Sequence, residues 1–174
     1  MNSGSVYTSF MDIERDTANG KFKTEAELRQ AFIEALKTEF PKHGCHQDVV
    51  KFALSLLLER SMKDRKRPDI RFSNVIIEVE PPKAGLAKGR DQLLQYMKAL
   101  IMQLRESAVR EFEIYGIVTD GINAELYKLH IYSNSPTLIK AGKLGEIMTF
   151  FLKAFCAEKI PIISSEELVE ILGV

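Results

Sequence analysis

The chain has 174 residues, of which 45% are hydrophobic and 28% are charged, and its formal net charge at pH 7 is zero. This length fits one domain with a substantial core, and the balanced charge excludes a generally basic nucleic-acid binder. No apolar run approaches the roughly 20 residues of a membrane helix, and the N-terminus lacks the apolar core of a signal peptide. The two cysteines do not make a disulfide framework, so we expect a cytoplasmic protein with no membrane partner.

The N-terminal part of the chain predicts a polar segment followed by two helices. Residues 1–20 mix polar side chains and glycine with scattered apolar ones and predict a loosely ordered segment. Thr24 and Glu27 form a capping-box pattern that starts a helix, which ends near Phe40 because a proline follows it. Residues 48–62 are almost continuously apolar and predict a buried helix.

The first predicted helix presents one of its acids to the protein interior. Leu28, Phe32 and Leu36 recur at helical spacing and mark the buried stripe. At about 100° per residue, Glu25 falls on that stripe and Glu27 falls nearly opposite. We therefore interpret Glu25 as facing the interior and Glu27 as a cap.

A short loop after this helix contains residues that can bind zinc. His43, Cys45 and His46 lie within four positions of one another. Zinc sites are built from such side chains, but no second ligand pair follows downstream. An ordinary loop is therefore the preferred interpretation.

Residues 68–72 and 75–80 predict two short strands joined by a turn, and Pro81-Pro82 ends the second strand. Side chains alternate between the two faces of a strand. Glu78 and Glu80 therefore share one face with Ile76. The alternate positions carry only apolar side chains, namely Val75, Ile77 and Val79.

The two strands place acids where apolar side chains are expected. Asp69 begins the first strand, and Glu78 and Glu80 lie on the second. Burying neighbouring carboxylates is costly unless a cation compensates them. A site for Mg²⁺ (or Mn²⁺), which prefers carboxylate oxygens, is the more economical explanation, and metal-assisted hydrolysis of a phosphodiester is the reaction it implies. The alternative is that these acids are structural and pair with nearby lysine or arginine side chains.

The rest of the chain predicts two further strands among helices. Gln92 and Tyr96 stand four residues apart, so they share a face of their helix. The predicted elements are a helix at 90–104, strands at 112–119 and 122–132 around an Asp120-Gly121 turn, and helices at 145–157 and 164–172. The order indicates an α/β fold with a small mixed β-sheet flanked by helices.

The pattern of Pro68-Asp69, Glu78-Val79-Glu80, Gln92 and Tyr96 resembles the PD-(D/E)xK nuclease superfamily, with the Gln and Tyr resembling its RecB-like members. Residues 115–127 resemble the strand, turn and strand that follow in the N-terminal nuclease domains of type I restriction enzymes and fused restriction-modification proteins. The resemblance runs from about residue 25 to residue 132. It implies a restriction-endonuclease-like fold and a magnesium-dependent DNA endonuclease.

The resemblance also implies roles for individual residues. Asp69 and Glu78 would be metal ligands, Gln92 and Tyr96 would lie near the substrate, and Glu25 would be the acid of the first helix. The sequence departs from the family at one position, because the expected lysine is replaced by Glu80. Either Glu80 takes an active role, as a metal ligand or by orienting the attacking water, or Lys83 replaces the lysine. An inactive domain of the same fold, used for DNA binding or protein contact, is a third alternative.

Basic side chains flank the acidic strands and form the predicted DNA-binding patch. They are Lys63, Arg65, Lys66, Arg67, Lys83, Lys88 and Arg90. We interpret residues 21–160 as the nuclease-like domain and residues 161–174 as a C-terminal helix or linker toward a partner such as a methyltransferase domain. Cutting both DNA strands at once needs two such domains, which leaves a homodimer open.

Overall fold

A five-stranded mixed sheet lies at the centre of the computed structural model, which describes residues 9–43, 69–72, 74–107, 111 and 113–157. The strands are adjacent in chain order: β1 Ile70–Phe72, β2 Val75–Val79, β3 Glu113–Thr119, β4 Asn123–His130 and β5 Thr137–Lys143. Strands β2 and β3 are parallel, and the other neighbouring pairs are antiparallel. A parallel pair needs a long crossover connection, and a helix between these two strands provides it.

The described helices cover both faces of this sheet. They are α1 Phe10–Ala18, α2 Glu25–Lys42, α3 Ala87–Ser107 and α4 Leu144–Ala157. Helix α3 packs on one face, and α1, α2 and α4 pack on the other. The predicted α/β fold with a small mixed sheet between helices is therefore confirmed.

Strand β2 is buried on both faces, as its alternation predicts. Val75, Ile77 and Val79 belong to the core beneath α1, α2 and α4, whereas Ile76 belongs to the core beneath α3. Each such side chain contributes about 1.5–3 kcal/mol by leaving water. Glu78 follows Ile76 on the α3 face, so its carboxylate is carried into an otherwise apolar layer.

Residues 10–18 form a helix, although the sequence predicted a loosely ordered segment there. Ser9 caps α1 by accepting a hydrogen bond from the backbone N–H of Asp12 at 3.2 Å. Phe10, Ile13 and Thr17 are buried at helical spacing. A nine-residue helix is too short to be stable alone, so packing against the core decides this conformation.

Helix α2 confirms the predicted start and corrects the predicted end. The Thr24 hydroxyl caps the helix by accepting from the Glu27 backbone N–H at 3.2 Å, and the Glu27 carboxylate accepts from the Lys23 N–H at 2.8 Å. The helix continues through Pro41 to Lys42 rather than ending near Phe40. Phe40 is 1% exposed and its ring lies 5.9 Å from that of Phe155, so core packing outweighs the local effect of the proline.

Strand β5 has no counterpart among the predicted elements. Most of its side chains are exposed, so it lacks the alternation that identifies a half-buried strand. Its pairing with β4, from Asn123 opposite Lys143 to Lys128 opposite Thr137, determines its conformation.

Several predictions concern residues outside the described ranges. These are the helices at 48–62 and 164–172, and the side chains of Cys45, His46, Lys63, Arg65, Lys66 and Arg67. Cys156 lies in α4 and is disulfide-bonded, a bond that the sequence interpretation did not expect. In the described part of the chain, no helix has the length and apolar character to cross a membrane.

Candidate active site

A pocket of about 470 Å³ opens where β1, β2, α2 and α3 meet. Its lining residues are Glu25, Asp69, Glu78, Glu80, Pro81, Ala84, Lys88, Gln92 and Tyr96. Four of these carry carboxylates, and we call the cavity the acidic pocket. It unites side chains from separate elements, including all the acids that the sequence singled out.

Strand pairing places Asp69 beside Glu78. Ile70 lies opposite Ile77 in the antiparallel β1–β2 pair, so the residues before and after them are neighbours. The Val79 N–H donates to the Asp69 carboxylate at 2.7 Å, and the Asp69 N–H donates to Glu78 Oε1 at 3.3 Å. Each acid is thus held by the backbone of the strand that carries the other.

Burial makes the charged form of Glu78 unfavourable. The residue is 3% exposed. Desolvation, and then the nearby Asp69 carboxylate, raise the pKa of Glu78 to about 9. Without an added cation, this side chain therefore carries a proton at neutral pH.

Glu80 is buried without a polar partner. It is 7% exposed, and among the described residues no hydrogen bond or ion pair involves its carboxylate. Burial is the main cause that raises the pKa of Glu80, followed by the charge of Glu25, and Lys88 acts in the opposite direction. A buried carboxylate without compensation is costly, and this one lines a pocket that an ion can enter.

Helix α2 adds one acid and one cation to this region. Glu25 lines the acidic pocket, although its side chain is 41% exposed and is not buried in the interior as predicted, and Glu27 is exposed. Arg29 Nη1 lies 3.3 Å from Asp69 Oδ1 and 3.9 Å from Glu25 Oε1. The sequence interpretation missed Arg29, although its position four residues after Glu25 predicts that the two share a helix face.

Helix α3 contributes a polar stripe on the opposite wall. Lys88, Gln92 and Tyr96 recur every four residues, and all three line the acidic pocket. The buried side of the same helix carries Leu93 and Met97, which are 0% exposed. The predicted division of this helix into an apolar face and a face directed at the acids is therefore observed.

Lys83 does not reach the acidic pocket. The residues that line the pocket include its neighbour Ala84 but not Lys83, whose residue is exposed. Its backbone adopts φ 62°, and its N–H donates to the carbonyl of Asp120 at 3.1 Å. The lysine that the structure brings to the pocket is Lys88, which the sequence assigned to the DNA-binding patch.

Arg90, which the sequence assigned to the DNA-binding patch, forms an ion pair with an acid on β4. Its Nε lies 2.8 Å from Glu125 Oε2 and its Nη2 lies 2.5 Å from Oε1, while the Tyr127 hydroxyl donates to Oε2 at 2.5 Å. The Arg90 hydrogen bonds are the main cause that lowers the pKa of Glu125. Burial, followed by the bond to Glu125, raises the pKa of Tyr127 to about 12. We call these three side chains the arginine network.

The proposed structural pairing of Glu78 and Glu80 with nearby cations is not observed. In the described ranges, Lys83, Lys88 and Arg90 form no ion pair with either acid, and Arg90 pairs with Glu125 instead. His43, the described member of the predicted loop cluster, lies 3.4 Å from Glu39. Neither acid therefore has a structural cation of the kind that the alternative interpretation requires.

The donor atoms of the acidic pocket fit a hard divalent cation. They are carboxylate oxygens, and Glu80 is buried without a partner in the described part of the chain. No group of three His, Cys, Asp or Glu side chains in that part already forms a metal cluster. The Asp69 carboxylate instead accepts from the Val79 N–H, and the Glu78 carboxylate accepts from the Asp69 N–H, so these side chains would have to rotate to bring their oxygens onto one ion.

Comparisons of the chain with protein-family models, with curated proteins and with solved structures give no match. The functional assignment therefore depends on the chemistry of the acidic pocket.

Proposed function

We propose that this chain is a magnesium-dependent DNA endonuclease domain of the PD-(D/E)xK type, as found in restriction-modification enzymes. The observation that carries the proposal is the acidic pocket, in which Asp69, Glu78 and Glu80 lie together with Glu25. Two of these carboxylates are at most 7% exposed and have raised pKa values, so the pocket favours a bound cation. The order of the acids along the chain and the Gln92–Tyr96 pair on α3 support the family assignment.

Each residue of the acidic pocket has a role in this proposal. Asp69, Glu78 and Glu80 would hold Mg²⁺, with Glu25 at the edge of the site. The bound ion supplies Lewis-acid stabilisation of the phosphate and a lower pKa for a coordinated water. Lys88 extends into the same pocket and would neutralise the phosphate of the DNA backbone.

Gln92 and Tyr96 supply the neutral polar groups on the α3 wall. An amide and a phenol can each donate and accept hydrogen bonds, so they can orient a water or a phosphate oxygen without adding charge. Glu80 stands where relatives of this type carry a lysine, and it would accept a proton from the attacking water or serve as a third ligand. Burial, followed by the charge of Glu25, raises the pKa of Glu80, and a carboxylate with a higher pKa is a stronger base.

A DNA-binding or protein-binding domain without catalysis is the second candidate. It is favoured by the replacement of the family's lysine with Glu80 and by the absence of a preformed metal cluster within the described ranges. This candidate predicts DNA binding that is independent of divalent metal and is not followed by strand cleavage.

Plasmid cleavage separates the two candidates. Supercoiled DNA incubated with the protein and Mn²⁺ should become nicked, and EDTA or Asp69→Ala should reduce the rate by about 100-fold or more, the effect expected when a transition-state contact is removed. Nicking that persists in Asp69→Ala would show contamination. If nicking is lost in Asp69→Ala but retained in Glu80→Ala, the active role belongs to a lysine rather than to Glu80. Lys88→Ala and Lys83→Ala are then the next variants to test.

The first turn of α2 offers a matched control pair. Glu25 lines the acidic pocket, and Glu27, two residues later, is exposed. Glu25→Ala should lower the cleavage rate several-fold, whereas Glu27→Ala should lower only stability, because its side chain caps the helix. Equal effects of the two variants on cleavage would remove Glu25 from the site.

Metal binding can be measured without DNA. At ten times its dissociation constant, Mn²⁺ should stabilise the folded protein by about 1.4 kcal/mol, and Asp69→Ala should abolish the rise in melting temperature. A melting temperature that Mg²⁺ and Mn²⁺ leave unchanged in the intact protein would contradict the metal site.

A further inference from the structure

Gly89 lies in the first turn of α3, directly against the side chain of Glu80. A Cβ atom built on Gly89 would be 2.6 Å from Glu80 Oε1, 2.7 Å from its Cγ and 2.8 Å from its Cδ. Carbon atoms in contact normally stay about 3.5–4.0 Å apart, so no side chain fits at this position while Glu80 keeps its conformation. All three of the nearest atoms belong to Glu80.

We propose that Gly89 is a positioning residue that keeps the Glu80 carboxylate inside the acidic pocket. Its missing side chain lets the first turn of α3 close over Glu80 and leaves the carboxylate on the pocket wall. The consequence for metal binding rests on the proposed function, but the positioning itself does not.

The backbone on both sides of this contact is held independently. The Glu80 N–H donates to the Thr119 carbonyl at 2.7 Å. The following loop is attached to Asp120, whose carbonyl accepts from the Lys83 N–H at 3.1 Å and whose carboxylate accepts from the Gly85 N–H at 3.0 Å. A clash at position 89 is therefore not relieved by moving this loop.

Helix α3 is equally unable to withdraw. Leu93 and Met97 are fully buried against the sheet, and Arg90, the residue after Gly89, is bound to Glu125 on β4. The flexible partner in the contact is the Glu80 side chain, which can rotate about its own bonds. An added methyl group at position 89 should thus expel the carboxylate from the acidic pocket while the fold persists.

Glycine at this position lowers the stability of α3. Glycine within a helix is less favourable than alanine, because the unfolded chain gains conformational freedom. Gly89 has no unusual backbone angle that would require glycine, in contrast to Gly85 with φ 85°. The close approach of Glu80 is the remaining physical reason for a glycine here.

The direct test measures the accessibility of Glu80 in metal-free protein. Carboxylates are coupled to an amine with a water-soluble carbodiimide, and the labelling of Glu80 is quantified by peptide mass spectrometry. Gly89→Ala should raise the labelling rate of Glu80 several-fold, whereas Gln95→Ala, an exposed position on the same helix, should leave it unchanged. Unchanged labelling in folded Gly89→Ala would overturn the proposal.

The effect of Gly89→Ala on the melting temperature, compared in wild-type protein and in Glu80→Ala, shows whether Glu80 is the group that clashes. In Glu80→Ala the contact is absent, so adding Gly89→Ala should raise the melting temperature by about 2–4 °C through helix propensity alone. In the wild-type background the same change must also move the Glu80 side chain, so the melting temperature should shift by a different amount. An equal shift in both backgrounds would overturn the proposal, even if Gly89→Ala alone is too unstable to label.

The Mn²⁺ affinity then connects the positioning to the proposed function. Gly89→Ala should weaken Mn²⁺ binding by about the same factor as Glu80→Ala, and Gln95→Ala should not weaken it. If the wild-type protein binds no Mn²⁺, the proposed function fails while the labelling result still decides the role of Gly89. If Gly89→Ala exposes Glu80 without weakening Mn²⁺ binding, the functional part of this inference is overturned.

Discussion

Buried carboxylates lie at two places on the same face of the sheet. At one place the fold supplies a cation for the carboxylate, and at the other it does not. Glu78 pairs with Val118, and Val118 pairs with Glu125, so the two acids lie two strands apart beneath α3. Glu125 is bound by Arg90 and Tyr127, and its pKa is lowered. Glu78 and its neighbour Glu80 have raised pKa values and no such cation.

The arginine network is a structural ionic group, whereas the acidic pocket has the features of a binding site. In the arginine network, a bidentate guanidinium and a phenol satisfy the Glu125 carboxylate within the fold. In the acidic pocket, Arg29 pairs with Asp69 and Glu25, but within the described ranges no ion pair or hydrogen bond satisfies the Glu80 carboxylate beside the opening. We therefore expect the first group to contribute to stability and the second to reduce stability until a cation binds.

Removing the cation of the arginine network should have the largest effect on stability. Arg90→Met leaves Glu125, which is 9% exposed, without its guanidinium. We expect a loss of about 2 kcal/mol in the free energy of unfolding, because the Glu125 carboxylate loses two charge-assisted hydrogen bonds from a guanidinium whose side chain is itself 40% exposed. Urea unfolding measures the loss. The double variant with Glu125→Gln should recover part of it, and a loss below about 1 kcal/mol would show that the network is solvated.

Neutralising an acid of the acidic pocket should stabilise the protein. Folding raises the pKa of Glu78 from 4.5 to about 9. The contribution of Glu78 to the free energy of unfolding is therefore most favourable below pH 4.5 and is lost as the pH rises toward 9. In EDTA at pH 8, Glu78→Gln should therefore be more stable than the wild type by about 2 kcal/mol. Screening by solvent keeps this gain below the value of about 1.4 kcal/mol per pKa unit that an unscreened shift would give.

The pH dependence of this effect provides its control. The advantage of Glu78→Gln should shrink as the pH falls and should vanish below about pH 4.5. Glu125→Gln should behave in the opposite way, because the lowered pKa of Glu125 stabilises the fold above its unfolded pKa and that stability is lost as the pH falls. Parallel pH profiles for the two variants would contradict the distinction between the two groups.

The smallest expected effect concerns the cation beside the acidic pocket. Arg29 Nη1 lies 3.3 Å from Asp69 Oδ1, so the guanidinium would compete with a metal ion for the Asp69 carboxylate. Arg29→Gln should strengthen Mn²⁺ binding about threefold, the order expected for a partly solvated charge at this distance. Isothermal titration calorimetry can measure the change, with Arg15→Gln as a control at an exposed ion pair. Weaker binding in Arg29→Gln would instead make Arg29 part of the metal site's support.

The elements that the sequence predicted correctly have a strong local pattern. The apolar alternation of β2, the Thr24 cap of α2 and the Asp120-Gly121 turn each involve neighbours within a few residues. Helix α1 was missed although Ser9 caps it and Phe10, Ile13 and Thr17 recur at helical spacing, because the helix is only nine residues long. Strand β5 was missed because most of its side chains are exposed and do not alternate. The packing of Phe10 against Phe32 stabilises α1, and the ladder with β4 stabilises β5.

The acids of the acidic pocket were predictable, and the cations around it were not. Asp69, Glu78 and Glu80 are unusual in their local apolar context, so the sequence alone singles them out. Arg29 lies 40 residues from Asp69, and Arg90 lies 35 residues from Glu125. No local pattern indicates which of several nearby basic side chains pairs with which acid.

By itself, the sequence determined that buried strands carry acids toward one face and that a polar stripe on the following helix shares that face, because alternation and helical periodicity are local geometric rules. Only the tertiary structure decided that Arg90 belongs to Glu125, that Lys88 rather than Lys83 lines the acidic pocket, and that Gly89 closes over Glu80. Those outcomes depend on how α3 lies on the sheet, and that packing is set by the whole core.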